Sequence, residues 1–398
     1  MMHLPQNAET SLIYFNNAAT TWPKPPEVLQ EVAECLRMPF HESGRTTVHG
    51  TINYPSVTRE ILAAFFHSSP PENFIFTQNA TDALNILIHG FVKKTGQPFH
   101  AITTELEHNS VLRPLQTLAQ DGTISLSIVP FTRHTINLAE IKREIVAETR
   151  LVVMTHGSNV LGSVQDIKPI AEYLQANDIF FIVDGAQTAG HIPINLSDIP
   201  LDAFVFTGHK ALFGIPGIGG FYLRDPDTIA ITREGGTGTD SLVLTQPHDM
   251  PMRFEVGTPN YPGIASLYAG VRFINAIGCD KIERKGKELS EYFIRELKHI
   301  PGITIYNDTP DLPVVSFNIT GIENDEAGFI LSRAYQVITR TGQHCAPLVH
   351  KRIDGGVGCI RASFSWFNSL DECIRAADAI REVAQSADTQ IHSDKSLR

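Results

Sequence analysis

Short apolar runs alternate with longer amphipathic segments between about residue 73 and residue 223. Apolar runs of about four to eight residues are typical of buried strands, and apolar positions three and four apart are typical of helices. The runs that predict strands are "NFIFT", "AITTE", "ISLSIVPF", "RLVVMTHGS", "IFFIVDGAQ", "DAFVFTGHK" and "GGFYLRD". Strands that alternate with helices predict an α/β fold whose mostly parallel, seven-stranded sheet is covered on both faces.

The pattern changes after about residue 262, where long helical segments come first and short strands follow. The helical segments are "IASLYAGVRFINAIG" and "KIERKGKELSEYFIRELKHI", and a last helix follows at "LDECIRAADAIREVA". This part predicts a smaller α+β domain. We therefore expect a large domain at 21–261, a small domain at 1–20 and 262–388, and a frayed polar tail at 389–398.

Composition excludes several classes of protein. The 398 residues carry a net charge of −11, which argues against nucleic-acid partners and anionic membranes. The N-terminal residues lack the pattern of a secretory signal, and no apolar run is long enough to span a bilayer. The five cysteines include no CxxC pair, which disfavours a disulfide framework and a structural zinc site. We expect a cytoplasmic protein without a metal.

Two charged residues follow apolar runs of the predicted sheet. Asp184 comes directly after "IFFIV", and Lys210 comes four residues after Phe206. Taken alone, Asp184 is interpreted as a strand-end cap and Lys210 as a solvated loop residue. The carboxyl ends of parallel strands meet at one edge, however, so both should face the same crevice. A lysine that forms an imine and an acid that pairs with a pyridinium nitrogen are what pyridoxal phosphate requires.

Other polar residues at the same edge could complete such a site. A phosphate needs N–H groups at a helix N-terminus, which the turn at Asn79, Ala80 and Thr81 would supply. The other candidates are Thr207 and His209 as phosphate donors, His108 as a flat group on the ring, Gln187 as a donor to the ring hydroxyl, and Asn159 as a substrate carboxylate partner. Each could instead be a cap or turn residue, and only their joint placement favours a site. The segment "GIPGIGG" lacks the spacing of a dinucleotide loop.

The order of these motifs resembles one enzyme family. Nearly the whole chain, from Tyr14 to the last helix, is similar to the class V, fold-type I pyridoxal-phosphate enzymes, within their cysteine desulfurase and selenocysteine lyase branch. The segments that carry the resemblance are "YFNNAATT", "TQNATDALN", "ELEHNS", "HGSNVLGSVQDI", "VDGAQTAGHIPIN", "TGHKALFGIPGIGG", "FEVGTPN", "RTGQHCAP" and "CIRASFSWFNS".

The resemblance implies a role for each candidate residue. Lys210 would be the Schiff-base lysine, Asp184 its pyridinium partner, His108 the stacking ring and Gln187 the contact to the phenolic oxygen. Thr81, Thr207 and His209 would hold the phosphate, and Thr258 would reach the phosphate of a neighbouring subunit in a homodimer. Arg361 and Asn159 would bind the substrate carboxylate. Ala80 departs from the family pattern, which commonly has a second hydroxyl residue at this position.

Cys345 would determine which reaction the enzyme catalyses. It lies in "RTGQHCAPLVH", where His344 and Arg340 are near in sequence and are expected to favour a thiolate. A buried structural cysteine is the alternative interpretation of the residue alone. The resemblance implies that Cys345 accepts sulfur from L-cysteine as a persulfide and that L-alanine is released, although Gln343 replaces a histidine of the family loop. The sulfur would then pass to an acceptor protein.

Several rival functions remain at this point. L-Selenocysteine is the runner-up substrate, because selenium departs more readily and needs no protein thiol. An aminotransferase, an epimerase or a kynureninase-like hydrolase would not require Cys345. A non-enzymatic protein that binds the cofactor or relays sulfur is disfavoured by the joint presence of Lys210, Asp184, His108 and Arg361.

Overall fold

The computed structural model describes residues 12–39, 51–239 and 242–396, with side chains up to residue 389. The chain divides into two compact units. The larger unit comprises Pro23–Asn159 and Ser163–Glu283, and the smaller unit takes its described residues from 12–22, 160–162 and 284–396. The first eleven residues of the predicted small domain lie outside the described residues.

The strands are short and mostly buried. In chain order they are β1 (Ile13–Tyr14), β2 (Phe74–Thr77), β3 (Phe99–Thr104), β4 (Ile124–Val129), β5 (Thr149–Thr155), β6 (Phe180–Asp184), β7 (Ala203–Thr207), β8 (Gly219–Leu223), β9 (Ile303–Ile305), β10 (Val314–Ile319), β11 (Val337–Ile338) and β12 (Ile360–Ser363).

The helices are α1 (Pro26–Arg37), α2 (Tyr54–Phe65), α3 (Ala80–Thr95), α4 (Asn109–Gln120), α5 (Leu138–Glu144), α6 (Ile167–Ala176), α7 (Tyr261–Ile277), α8 (Cys279–Lys298), α9 (Asn324–Ala334), α10 (Pro347–Ile353) and α11 (Leu370–Ser396). No helix in the described part of the chain is both long and apolar enough to cross a lipid bilayer. Helix α11 continues through most of the tail that was expected to fray.

A seven-stranded sheet forms the centre of the larger unit, with the strand order β2-β8-β7-β6-β5-β3-β4. Strand β8 is antiparallel to both of its neighbours, and the other strands run parallel to one another. The predicted mostly parallel α/β sheet is therefore confirmed. Because β2, β3, β5, β6 and β7 point the same way, their last residues share one edge, which is called the carboxyl edge below.

Apolar side chains on both faces of this sheet hold the larger unit together. On one face, Leu84 and Leu87 of α3 pack with Val153, Ile182 and Val205. On the other face, the Phe66 ring contacts the rings of Phe204 and Phe206. Burying one such side chain contributes roughly 1.5–3 kcal/mol.

Helix α7 belongs to the larger unit, although the sequence analysis began the small domain at residue 262. It packs against α1 and α2, two helices that the sequence analysis did not predict. Its buried residues occupy most of its circumference, because neighbours cover it on several sides.

The smaller unit contains two sheets. Strand β10 lies between β12 and β9, antiparallel to both, and β1 pairs in parallel with β11. Phe293 of α8, Phe317 of β10 and Ile380 of α11 share its apolar core.

Candidate active site

Asp184 ends β6 at the carboxyl edge of the large sheet, where its backbone pairs with Thr155 of β5 and Val205 of β7. Its carboxyl is buried, and Oδ1 accepts a hydrogen bond from the Ala186 N–H at 2.9 Å. Burial raises the pKa of Asp184, whereas the Ala186 N–H and the positive charge of Lys210 oppose that rise. Asp184 is therefore a buried acid that a cationic partner would stabilise as a carboxylate.

Gly185 lets the chain turn closely behind this acid. A Cβ at residue 185 would lie 2.0 Å from the ring of Phe204, so a larger residue would displace the β7 side chain. The turn keeps Asp184 close to the strand that leads to Lys210.

Lys210 lies three residues beyond the end of β7, half-buried, within electrostatic range of Asp184 and His191. Burial first, then the charges of Lys210 and Lys24, lower the pKa of His209 to about 4. The His209 ring is therefore neutral at neutral pH and can donate a hydrogen bond, but it carries no positive charge. The two candidates that follow Thr207 thus differ in character, one cationic and one neutral.

Lys24 is a member of this group that the sequence analysis missed. Its Nζ donates to the carbonyl oxygen of His209 at 2.8 Å, and burial lowers its pKa to about 8. The only feature of the sequence that marks Lys24 is its position between two prolines in "WPKP". That feature does not indicate the contact with His209, because the two residues are far apart in sequence.

The turn before α3 has the form of an anion site. The Asn79 side chain caps the helix by accepting the Asp82 N–H at 2.9 Å, and Ala80 and Thr81 begin the first turn. N–H groups in a first turn have no partner within the helix and attract anions. Gly219 brings this turn against β8, since a Cβ there would lie 2.8 Å from the Asn79 backbone.

Thr207 offers a second observation beside this turn. Its hydroxyl is buried and has no hydrogen-bond partner among the described residues. Thr207 and Thr77 both pair with Gly219, so the hydroxyl lies on the same edge as the start of α3. A buried hydroxyl without a partner is costly unless a bound group completes it. The residues present therefore fit a phosphate-bearing cofactor.

His108 caps α4 with its ring. Nδ1 accepts from the Ser110 N–H at 3.1 Å and lies 2.8 Å from the Ser110 hydroxyl. These contacts fix the orientation of a half-buried ring at the end of the β3 loop. Gln187 is buried just beyond Asp184, and Asn159 is buried beyond the end of β5. All three therefore lie beyond carboxyl ends of the central strands.

Glu107, directly before His108, is a further residue that the sequence analysis missed. Its side chain is fully buried, with Oε1 accepting from the Thr104 hydroxyl at 2.6 Å and from the Thr155 N–H at 2.9 Å. Burial, with a smaller contribution from Asp184, raises its pKa to about 8. Glu107 is therefore mostly protonated at neutral pH and ties the ends of β3 and β5 together.

His156 is a third such residue, buried one position beyond β5. Nδ1 lies 2.9 Å from the Thr188 hydroxyl, and burial lowers its pKa to about 4. The His156 ring is therefore neutral at neutral pH, like that of His209, and it contacts Thr188.

Arg361 belongs to β12 of the smaller unit and is almost completely buried. Its backbone exchanges hydrogen bonds with Arg340, and its guanidinium lies 3.4 Å from Asn16 Oδ1. Burial and the Arg340 charge lower its pKa to about 10, so it remains a buried cation. A buried cation of this kind suits a carboxylate ligand.

Cys345 is half-buried in the same unit and interacts electrostatically with Arg361. The expected help from His344 is wrong as stated, because burial lowers the pKa of that imidazole to about 2 and leaves it neutral. Arg361 is the buried positive charge that interacts with Cys345. Gln343 is exposed and donates to the Gly356 carbonyl at 2.8 Å.

The remaining predicted residues differ in exposure. Thr81 is exposed at the start of α3, Ala80 beside it is buried, and Thr258 is exposed on the larger unit.

Comparison with known proteins gives a consistent result. Residues 13–375 match the family described as aminotransferase class-V. A probable cysteine desulfurase of Halalkalibacterium halodurans is 30% identical, with 94% of this chain and 93% of that protein covered. A probable cysteine desulfurase of Pyrococcus abyssi is also 30% identical, covering 97% and 99%. The apo structure of a cysteine desulfurase from Thermococcus onnurineus superposes with a TM-score of 0.87 at 30% identity, covering 94% of this chain and 95% of that chain.

Proposed function

Because this chain belongs to the class V aminotransferase family, we propose that it is a pyridoxal-phosphate-dependent cysteine desulfurase that converts L-cysteine to L-alanine. The observation that carries the proposal is the convergence of Asp184, Lys210 and the unpartnered Thr207 hydroxyl on one sheet edge beside the start of α3. Relatives named as cysteine desulfurases over almost the whole chain support it.

The cofactor would be held through both of its ends. Thr207, His209, Thr81 and the first-turn N–H groups of α3 would bind the phosphate, and Asp184 would face the ring nitrogen. His108 would lie against the ring and Gln187 at its phenolic oxygen. When bound, the cofactor serves as an electron sink for charge that develops at the substrate Cα.

The protein's own groups then move protons. Lys210 Nζ would remove the proton from the substrate Cα. It is suited to this because it lies at the carboxyl edge within electrostatic range of Asp184, where the cofactor and substrate would bind. Asp184, which is costly to bury as an anion, would pair with the ring nitrogen of the cofactor and would favour its protonated form. Arg361, together with Asn159, would hold the substrate carboxylate.

Cys345 would complete the reaction as a nucleophile. Its thiolate would form a bond to the substrate sulfur while the bond from that sulfur to Cβ breaks. The electron pair of the broken bond stays with the carbon, which takes up a proton and leaves as alanine. Cys345 would then carry a persulfide, with the buried cation Arg361 within electrostatic range.

Assembly and location belong to the same proposal. We place the protein in a homodimer, with Thr258 reaching the partner's phosphate site, and Leu244, which is 100% exposed, is consistent with a surface that another chain covers. An acceptor protein would take the sulfur. All five cysteines are free thiols, which suits a reducing compartment such as the cytoplasm.

The decisive experiment follows alanine released from cysteine and the peptide that borohydride links to the cofactor. We expect the label on Lys210, and Lys210→Ala should lower turnover by at least about 100-fold. Lys168, which is exposed on α6, provides the control, and Lys168→Ala should behave like the parent. A label on another lysine, or turnover by Lys210→Ala near the parent rate, contradicts the proposal.

A further inference from the structure

Three buried side chains of the smaller unit form a cluster that the proposed reaction does not use. His344, His350 and Cys359, called the His–His–Cys cluster below, each place one nitrogen or sulfur atom near those of the other two. These three atoms all lie within 4.8 Å of one another, and none of the residues is more than 4% exposed. Two imidazoles and a thiol that are buried close together are a ligand set that transition metals prefer.

His350 is oriented as a metal-binding histidine would be. Its Nδ1 lies 2.6 Å from Asp354 Oδ2, and both side chains are almost completely buried. Its Nε2 is buried and has no hydrogen-bond partner among the described residues. When Nδ1–H donates to the carboxylate, Nε2 keeps its lone pair. A carboxylate behind an imidazole is the usual support of a histidine ligand, and Asp354 is itself held by the Gly356 N–H at 2.9 Å.

The other two ligands are already at a suitable separation. His344 Nε2 lies 3.5 Å from Cys359 Sγ. Metal–nitrogen and metal–sulfur bonds of about 2.0–2.1 Å and 2.3 Å in a tetrahedral site separate the two ligand atoms by about 3.5 Å. His344 Nε2 also lies 3.1 Å from the Cys359 carbonyl, and it would exchange this contact for the metal. Shifts of about 1 Å would bring His350 to the same spacing.

We propose that His344, His350 and Cys359 bind one divalent transition-metal ion, with Zn²⁺ as the ion that best fits two imidazoles and a thiolate. Binding releases the Cys359 thiol proton, while His344 carries its remaining proton on Nδ1. The ligands come from the loop that holds Cys345, from α10 and from the residue directly before β12. A metal here would join these three elements directly behind Cys345.

Co²⁺ is the probe for the experiment, because tetrahedral Co²⁺ has visible bands and a thiolate ligand adds a near-ultraviolet band. We titrate the cofactor-loaded protein without cysteine and record difference spectra, then displace Co²⁺ with Zn²⁺ and measure bound metal. We expect one ion per chain, both sets of bands, and a higher midpoint of thermal unfolding with Zn²⁺.

Variants identify the ligands. Cys359→Ser should lose the near-ultraviolet band, His350→Gln should bind at least about 100-fold more weakly, and Asp354→Asn about 10- to 100-fold more weakly. The controls are Cys373→Ser, a buried cysteine of the same unit, and Cys345→Ser, and both should bind like the parent. Circular dichroism checks that each variant is folded.

Each other result decides against the site. Failure of the parent to bind Co²⁺ or Zn²⁺ at micromolar concentration overturns the proposal. So do parent-like bands in Cys359→Ser, or loss of the near-ultraviolet band in Cys345→Ser, which would make the nucleophile the ligand. If Cys359→Ser does not fold, the near-ultraviolet band in Cys345→Ser and its weakening in His350→Gln decide the same question. Turnover is not measured, so failure here leaves the desulfurase proposal untouched.

Discussion

Cys345 has an unusual backbone for the nucleophile that we propose it to be. His344 and Cys345 have φ angles of 48° and 57°, so two successive residues with side chains are left-handed. Each such residue costs about 1–3 kcal/mol and persists only where its surroundings hold it. The Gly342 carbonyl accepts from the Cys359 N–H at 3.1 Å, and the Gln343 carbonyl accepts from the Ala346 N–H at 2.8 Å. These bonds help to hold the loop in its strained form.

The Cys345 thiol is expected to be needed for cysteine turnover but not for selenocysteine cleavage. Cysteine's sulfur leaves poorly unless a thiolate takes it, whereas a selenol is expelled more easily. Cys345→Ala should therefore abolish persulfide formation and lower cysteine turnover by at least about 100-fold, or about 2.7 kcal/mol in activation free energy. Substantial selenocysteine cleavage should remain. Side-by-side assays of both substrates measure the difference.

Cys279 is the matched control for that experiment, because it is also half-buried and free. Cys279→Ala should leave both activities unchanged. If Cys345→Ala still converts cysteine to alanine near the parent rate, Cys345 is an ordinary loop residue and another route carries the sulfur.

Glu107 makes the stability of the protein depend on pH. The pKa of an unfolded glutamate is about 4.3, whereas that of folded Glu107 is raised to about 8. Between these values the folded state holds a proton that the unfolded state has lost, so this group stabilises the fold less as pH rises. Glu107→Gln resembles the protonated form at every pH, so its stability does not contain this decrease with rising pH. Relative to the parent, it should therefore gain thermal stability between about pH 5 and pH 8.

Thermal unfolding midpoints of the two proteins across this range test the prediction. Glu72 is exposed, and Glu72→Gln should follow the parent at every pH. Parallel curves for the parent and Glu107→Gln would mean that the buried carboxyl is already ionised in the folded protein.

At the scale of elements, the start of α3 is expected to serve both the fold and the cofactor. Asn79 caps this helix through the Asp82 N–H, and Asn137 caps α5 in the same way through the Glu140 N–H at 3.2 Å. Replacing either asparagine by alanine should cost about 1 kcal/mol of stability. Only Asn79→Ala should also raise the dissociation constant of the cofactor, because only α3 begins beside Thr207.

Cofactor titration and thermal unfolding of both variants separate the two effects. Equal changes in cofactor affinity would show that the loss comes from general destabilisation. No change in either variant would exclude the start of α3 from the phosphate site.

Fully buried strands were the elements that the sequence predicted best. Strand β6 is a continuous apolar run that ends at a single acid, so both its extent and the importance of Asp184 could be read from the pattern. Helix α1 is amphipathic, but it precedes the strand–helix alternation on which the prediction was based, and it was missed. Helix α10 was also missed, because it is only seven residues long and gives too short a pattern to recognise.

Contacts between distant segments could not be predicted in this way. Lys24 and His209 are 185 positions apart, and nothing near either residue indicates the other. The His–His–Cys cluster was missed because the cysteine spacing excludes only sites that cysteines build in pairs. Two of its residues are histidines, and all three residues come from different elements. The neutral state of His344 also depends mainly on its burial, which cannot be read from the residues next to it in sequence.

At the scale of the whole molecule, Thr258 carries the prediction about assembly. If each phosphate site uses Thr258 of the partner subunit, a Lys210→Ala chain mixed with a Thr258→Ala chain forms one intact site per heterodimer. That site should bind cofactor with the parent affinity, although the Thr258→Ala homodimer binds it more weakly. Cofactor titration of differently tagged, purified heterodimers measures this.

The outcome for a site built within one chain is different. The Thr258→Ala chain would then carry its own defect into the heterodimer, and no site would regain the parent affinity. A monomer with full activity at all concentrations would also exclude the shared site.

The smaller unit brings together segments that are far apart in sequence, and this affects how the chain folds during its synthesis. Strand β1 pairs with β11, and Asn17 donates to the Ser363 carbonyl across 346 positions. Strand β1 must therefore wait until β11 has been translated before the two strands can pair. The larger unit, whose strands lie between Phe74 and Leu223, can fold during that interval. Chains that stop before residue 337 would lack β11, so β1 would have no partner strand and would stay exposed to chaperones and proteases.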